Sequence, residues 1–409
     1  MNLSTKPSPE APSRDTARDG AAKAPLPDAL RQLVGKPVDA IDTPSLVVDL
    51  DAMERNLQRM AEFALKHDIR WRPHAKMHKS SALAKLQMRA GAIGVCVQKT
   101  SEAESMVAGG VTDVYISNEV IAPAKLARVA ALARTLAAAR GKLAIAVDSL
   151  EGVHRLGAAM AGSNAVLDVF IEIDVGHHRC GVIPGSAAVT LAQKIGEHPA
   201  LRFAGLQAYH GKAQHMRSIQ ERRAAISVAI DDVLFTRKLI EQAGIPVELV
   251  TGAGTGTLVL EAASGVYGEL QAGSFLFMDG DYAANERDPA SPRFEHALFV
   301  KTQVISVQPD HAVCDAGHKS HAIDSGMPRV HAPDAEHALE YFNGGDEHGV
   351  LRVAPAGGRL PALGQFLWLI PGHCDPTVNL HDFIVGVRGG LKGGQVERII
   401  RVDARGALT

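Results

Sequence analysis

The sequence predicts an α/β protein: a (β/α)8 barrel followed by a mostly-β domain. Three observations carry this reading. Between residues 69 and 275, eight short apolar runs alternate with helical stretches. Several of these runs are β-branched without polar alternation, as in parallel strands covered on both faces. After residue 293 the strand signals continue while the helices between them stop. An open doubly wound sheet is the alternative for the first part.

The elements follow in order. Residues 1–28 mix Pro, Ser, Ala and both charges, which predicts a disordered tail. Their start has no apolar segment of a secretory signal. Residues 43–50 form a strand expected to join the C-terminal β domain. The barrel is expected over 51–292, opening on a helix at 51–66. Its strands fall at 69–76, 94–98, 113–118, 143–148, 167–174, 203–209, 247–251 and 270–275. Helices fill 80–89, 101–108, 123–139, 150–160, 186–197, 219–243 and 257–264, with none clear after the eighth strand. The β domain, 293–409, has strands at 295–307, 311–315, 349–353, 364–369, 382–388 and 395–402, and a hairpin loop at 354–364.

Composition narrows the function. Across 409 residues, 43 Lys and Arg balance 45 Asp and Glu, a net charge of −2. Without a basic excess, neither nucleic acid nor a membrane surface is an expected partner. No apolar run approaches the roughly 20 residues of a bilayer span. Cys96, Cys180, Cys314 and Cys374 are too scattered for a disulfide framework or a structural zinc site, so reduced thiols in the cytoplasm are expected. Histidine is the unusual residue: its 18 copies equal all the aromatics together, a hint of proton or metal chemistry.

Reactive groups of such barrels gather at the C-terminal strand ends. Strand one ends in Arg72-Pro73-His74-Ala75-Lys76, strand two at Gln98. Strand five runs from Glu172 into His177, His178 and Arg179, and strand six ends in Gln207-Ala208-Tyr209-His210 with His215 beyond. Strand seven runs into a glycine loop, where Gly254, Thr255, Gly256 and Thr257 form a candidate phosphate cradle of backbone amides and hydroxyls. Lys76 is expected to be desolvated and ringed by Arg72, His74 and His78, both effects lowering its pKa toward a nucleophilic amine. A phosphate loop and a reactive lysine in one barrel mouth point to pyridoxal 5'-phosphate (PLP).

A third group is His373-Cys374-Asp375 in the β domain. In an extended segment His373 and Asp375 share one side, with Cys374 turned away. That imidazole and carboxylate suit Mn²⁺ or Mg²⁺. Asp346-Glu347-His348-Gly349 reads as a solvated turn, and His67, His154, His198, His296, His331 and His337 as surface residues.

Four motifs in this order resemble the fold-type III PLP enzymes: R-P-H-A-K-M-H-K at 72–79, E-I-D-V-G-H-H-R-C-G-V at 172–182, G-A-G-T-G at 252–256 and P-G-H-C-D-P-T at 371–377. The branch they resemble holds D-threonine aldolase, D-serine dehydratase and the 3-hydroxy-D-aspartate enzymes, and the match covers roughly 40–405. The resemblance implies a homodimer with Lys76 as the Schiff-base lysine. It places Arg179 at the cofactor's phenolic oxygen, Gly254, Thr255 and Gly256 on its phosphate, and Gln98, Gln207, Tyr209 and Tyr282 around it. It implies His373 and Asp375 as the ligands of Mg²⁺ or Mn²⁺, with His215 as the proton handler beside the metal. Asp375 stands where the D-serine dehydratases use cysteine, so zinc and D-serine are disfavoured, and the whole segment P-G-H-C-D-P-T, with D-E-H-G at 346–349, looks most like the 3-hydroxy-D-aspartate enzymes. The implied activity is aldol cleavage of a D-3-hydroxy amino acid, 3-hydroxy-D-aspartate giving glycine and glyoxylate. Its β-carboxylate calls for a cation, Arg72 or Lys319. The alternatives are dehydration by the same parts, with Lys76 removing the α-proton, and a non-catalytic PLP-binding protein, which lacks a β domain.

Overall fold

The computed structural model describes residues 25–331, 338–355 and 357–409. Most of the 1–28 tail, His337 and one position of the 354–364 loop lie outside the described residues.

Eight parallel strands form the first sheet: β2 Arg70–Trp71, β3 Val95–Val97, β4 Asp113–Ile116, β5 Lys142–Val147, β6 Leu167–Glu172, β7 Leu201–Ala208, β8 Val250–Gly252 and β9 Glu269–Leu270. Their order is β2-β9-β8-β7-β6-β5-β4-β3. The two ends meet: the Ile93 N–H donates to the Trp71 carbonyl at 3.1 Å and the Cys96 N–H to Pro73 at 3.0 Å, and His74 bridges Cys96. The sheet therefore curls into a barrel and is not an open sheet. Each strand lies within or beside an expected run, and the intervening helices α3 Ser81–Arg89, α4 Thr100–Ala108, α5 Pro123–Ala138, α6 Leu150–Met160, α7 Ser186–Gly196, α8 Ile219–Gln242 and α9 Leu258–Ser264 fall in the expected places.

After β9 there is only a 3-10 turn, Ser274–Leu276, and the one-turn α10 Gly280–Ala283. The missing helix is supplied from before the first strand. Helix α2 Leu50–Lys66, preceded by the short α1 Asp28–Arg31, buries Met53, Leu57, Met60 and Phe63 at helical spacing. Its fully buried Asn56 donates to the carbonyls of Leu276 (3.2 Å) and Glu295 (2.7 Å) and accepts from the Glu295 N–H. One amide thus ties α2 to the segment after the eighth strand.

The second sheet runs β13-β14-β11-β10-β1-β16-β17, with β15 also on β10 and β12 on β15. Its strands are β1 Ser45–Asp49, β10 Leu298–Val307, β11 Ala312–Cys314, β12 Arg329–Val330, β13 Leu339–Asn343, β14 Gly349–Val353, β15 Phe366–Ile370, β16 Phe383–Arg388 and β17 Gln395–Arg401. Strand β1, from before the barrel, sits inside this sheet, antiparallel to β10 and parallel to β16. β12, β13 and the short helix α11 Cys374–Val378 are absent from the sequence reading. One hydrophobic cluster contains Leu46, Met60, Val169, Leu298 and Cys374, so the barrel and the second sheet share a core. Among the described residues no helix is long and apolar enough to cross a membrane.

The barrel interior is unusual. Its apolar cluster is small, Cys96, Tyr115, Ala144, Ala146 and Phe170, where branched aliphatic layers are the norm. A polar network fills the rest. Arg72 pairs with Asp113 and Glu269, Thr251 donates to Glu269 at 2.8 Å, and Gln271 donates to Thr251 at 2.9 Å. Buried polar groups satisfied in this way hold one arrangement, and the network rises to Gln207 and Gln271 at the mouth.

Candidate active site

The strand ends and the segment around residue 373 enclose a cavity with about 660 Å³ of space, mouth included. Of the residues named from sequence, Lys76, Gln98, Arg179, Gln207, Tyr209, His215, Gly254, Thr255, Tyr282, His373 and Asp375 all line it. Gly256 does not. Its N–H donates to Gln214 Oε1 at 3.0 Å, and it lines a neighbouring cavity behind Thr255 and Tyr282.

Lys76 lies in the 3-10 turn Ala75–Met77 after β2, which His74 caps. Its Nζ is 3.3 Å from Asp375 Oδ2. The expected depression of its pKa is corrected by this contact. Burial works against the charged amine, but the Asp375 carboxylate outweighs it and the pKa is raised. The expected cations are not there. Burial pushes His74 down to about 3 and His78 down to about 4, so both are neutral. Arg72 points into the barrel network.

The glycine loop presents donors. The backbone N–H groups of Gly254 and Thr255, and of Gly273 and Ser274 after β9, have no partner among the described residues. All four residues are buried and line the cavity. Thr255 Oγ1 accepts from the Phe275 N–H at 3.0 Å, which leaves its hydroxyl hydrogen to donate. Unpaired buried amides are costly, and a ring of them fits a phosphate. At Gly254 a Cβ would stand 2.4 Å from Gln214 Oε1, so the approach requires glycine. Arg179 makes no hydrogen bond or ion pair among the described residues. The residues present therefore fit PLP: an amine, a phosphate cradle and a free guanidinium share one cavity.

Gln207 is fixed at the floor, accepting from the Tyr115 hydroxyl and donating to Glu172, both at 2.5 Å. Burial and the neighbouring Glu119 push Glu172 up to about 8. Gln98 Oε1 lies 3.1 Å from His74 Nε2. Burial raises the hydroxyl pKa of Tyr209 and Tyr282.

The metal candidates converge for a different reason than expected. The segment is not extended through Asp375. His373 is the N-cap of α11, and Asp375 lies in that helix's first turn. His373 Nε2 and Asp375 Oδ2 are 3.8 Å apart, and Cys374 is buried beneath them. Burial raises the Asp375 pKa, but Lys76 and His373 outweigh it and hold it at about 2. The pair offers one nitrogen and one anionic oxygen to the cavity, a donor set that fits Mn²⁺ or Mg²⁺.

His215 closes the 3-10 turn Lys212–His215, its Nδ1 at 2.5 Å from Asp281 Oδ2. The Tyr282 ring packs near both this ring and that of His373, with centroids 5.9 and 6.3 Å away. The two residues offered for a β-carboxylate are elsewhere. Arg72 is committed inside the barrel, and Lys319 is exposed and bonded to Glu347 at 2.7 Å. His331 is not a plain surface residue, since its ring packs on Phe299 at 5.0 Å.

Sequence reading missed Gly273, Ser274, Asp279 and Asp281. They follow the eighth strand, and the rule applied to the other strand ends would have found them.

Residues 48–281 match the model "Alanine racemase, N-terminal domain", and 297–387 match "Putative serine dehydratase domain". The chain is 45% identical to a D-threonine aldolase of Arthrobacter sp over 91% of its length and 95% of that protein. It is 43% identical to a 3-hydroxy-D-aspartate aldolase of Paracoccus denitrificans, again over 91% of its length and 95% of that protein. The crystal structure of D-threonine aldolase from Filomicrobium marinum superposes with a TM-score of 0.86 at 45% identity, covering 92% of this chain and 99% of that one. The chain therefore belongs to the alanine racemase-like barrel family, in the branch that carries a serine dehydratase-type β domain and includes these aldolases.

Proposed function

We propose that this protein is a PLP- and divalent-metal-dependent lyase that cleaves the Cα–Cβ bond of D-3-hydroxy amino acids. The observation that supports this is the Lys76–Asp375 contact: a lysine amine and a carboxylate meet in one cavity, as an amine to hold PLP and a carboxylate to hold a metal would need to. Lys76 is the residue to hold PLP covalently. The amides of Gly254, Thr255, Gly273 and Ser274 would cradle its phosphate, and Arg179 would supply a cation to it. His373 and Asp375 are the residues to hold Mn²⁺ or Mg²⁺. When bound, PLP supplies an acceptor for the electron pair released by bond cleavage, and the metal supplies a Lewis acid for the substrate hydroxyl. His215 takes the hydroxyl proton on its Nε2, because Asp281 engages Nδ1.

In the proposed reaction 3-hydroxy-D-aspartate gives glycine and glyoxylate, and D-threonine gives glycine and acetaldehyde. With Arg72 and Lys319 outside the cavity, neither pairs with a β-carboxylate, which favours D-threonine as a second substrate. The reading includes a homodimer and a cytoplasmic setting; all four cysteines are free, as in a reducing compartment. The test is a product assay of the PLP-loaded enzyme on 3-hydroxy-D-aspartate, D-threonine and D-serine with Mn²⁺ or Mg²⁺. Glycine with an aldehyde supports the reading. Ammonia with a 2-oxo acid overturns it in favour of dehydration.

A further inference from the structure

We propose that Asp279-Gly280-Asp281 is a shared positioning element that orients both the metal-binding imidazole, His373, and the proton-handling imidazole, His215. The inference rests on the roles proposed above for those two histidines. Asp279 is fully buried. Its Oδ2 accepts from His373 Nδ1 at 2.8 Å and from the Cys374 N–H at 2.9 Å, while its Oδ1 accepts from the Tyr282 N–H at 2.9 Å. Two residues on, Asp281 is 5% exposed. Its Oδ2 takes His215 Nδ1 at 2.5 Å, and Arg217 pairs with its Oδ1.

The consequence is the same at both rings. An ionised carboxylate only accepts, so each Nδ1 carries a hydrogen, and in the neutral ring each Nε2 keeps its lone pair. That lone pair is what a metal needs from His373 and what a proton acceptor needs from His215. The element is also locked to the loop it serves. The Gly280 N–H donates to the Pro371 carbonyl and the Asp281 N–H to Gly372, both at 2.9 Å. One segment after the last barrel strand therefore sets two groups from different parts of the chain. Asp279, His373 and Cys374 also bring ligand-type atoms within 4.8 Å of one another. Because the Asp279 oxygen there already takes two N–H groups, that face supports the histidine and does not itself hold the ion.

The two aspartates act through different partners, which the experiment separates. Mn²⁺ binding to PLP-loaded wild type, Asp279→Ala and Asp281→Ala is titrated by the electron paramagnetic resonance of free Mn²⁺. Cofactor absorbance and circular dichroism check the fold; where an alanine variant loses either, Asp279→Asn or Asp281→Asn is measured instead. The Asp279 variant is expected to bind Mn²⁺ about 10- to 100-fold more weakly, with activity returning at saturating Mn²⁺. The Asp281 variant is expected to keep wild-type Mn²⁺ affinity and KM but lose about 100-fold or more in kcat, without rescue by Mn²⁺. Wild-type Mn²⁺ affinity in the Asp279 variant, or parallel loss of Mn²⁺ and cofactor in both, overturns the inference. A wild-type enzyme that binds no Mn²⁺ overturns instead the metal role on which it rests.

Discussion

Lys76 Nζ and Asp375 Oδ2 stand 3.3 Å apart, joining the first strand end of the barrel to the helix after β15. The same carboxylate lies 3.8 Å from His373 Nε2. Asp375 is therefore the group shared by the amine and the proposed metal pair. Asp375→Ala is expected to retain PLP while losing metal-dependent cleavage by about 100-fold or more, since even an outer partner of a metal ligand costs about 10- to 100-fold. Absorbance and product formation, measured against Mn²⁺ concentration, check this. Full activity in the variant would remove Asp375 from the metal site.

Lys76→Ala removes the cavity's only lysine amine among the described residues. The variant is expected to lose the visible absorption of bound cofactor and its activity, while far-ultraviolet circular dichroism stays as in the wild type. A retained visible band excludes Lys76 as the covalent anchor.

These two residues also show what sequence reading can reach. Barrel strands are legible because burial on both faces leaves continuous runs such as Val95–Val97 and the apolar stretch of Lys142–Val147. α11 is hidden because Pro376, Thr377 and Val378 are poor helix formers. Pro376 is tolerated there, in a first turn whose N–H groups have no helical partner. The raised pKa of Lys76 is invisible from its neighbours in the chain, because its controlling charge comes from Asp375. Nor does a glycine motif reveal which amides are already spent: Gly256 is taken by Gln214, whereas Gly254 is not. Local periodicity reports backbone and burial. Partner choice is settled by tertiary contact.

Removal of the divalent ion tests the metal role without mutation. Dialysis against a chelator is expected to abolish cleavage and leave the cofactor absorbance, with Mn²⁺ restoring activity. This follows from the different residues proposed for the two groups, Gly254 and Thr255 for the phosphate and His373 and Asp375 for the ion. A fully active chelated enzyme rules out the metal.

Lys301 is fully buried, with no carboxylate bonded to it among the described residues. It donates to the carbonyls of Val38 and Asp39, both at 3.1 Å, and of Ile41 at 2.6 Å. It thereby fastens 38–41 to the second sheet. Lys301→Met leaves those carbonyls short of a donor, a loss of about 1–3 kcal/mol. Denaturant midpoints and faster hydrogen exchange around 38–41 check it. An unchanged midpoint shows that the carbonyls find other donors.

Glu261 gives a pH dependence with a definite sign. It sits behind the phosphate cradle, 1% exposed, accepting from the Thr257 hydroxyl at 2.7 Å. Burial pushes its pKa up from 4.5 to about 7. The folded state thus holds the neutral acid more tightly than the unfolded chain does. Its contribution is complete below about pH 4.5 and is lost as pH rises through about 7. The linkage is worth roughly 3 kcal/mol across that window. Glu261→Gln keeps the shape and a carbonyl acceptor for Thr257 but does not ionise. Melting temperatures of wild type and variant should converge near pH 4.5, with the variant the more stable at pH 8. Parallel curves across this range would show that Glu261 does not titrate in the folded protein.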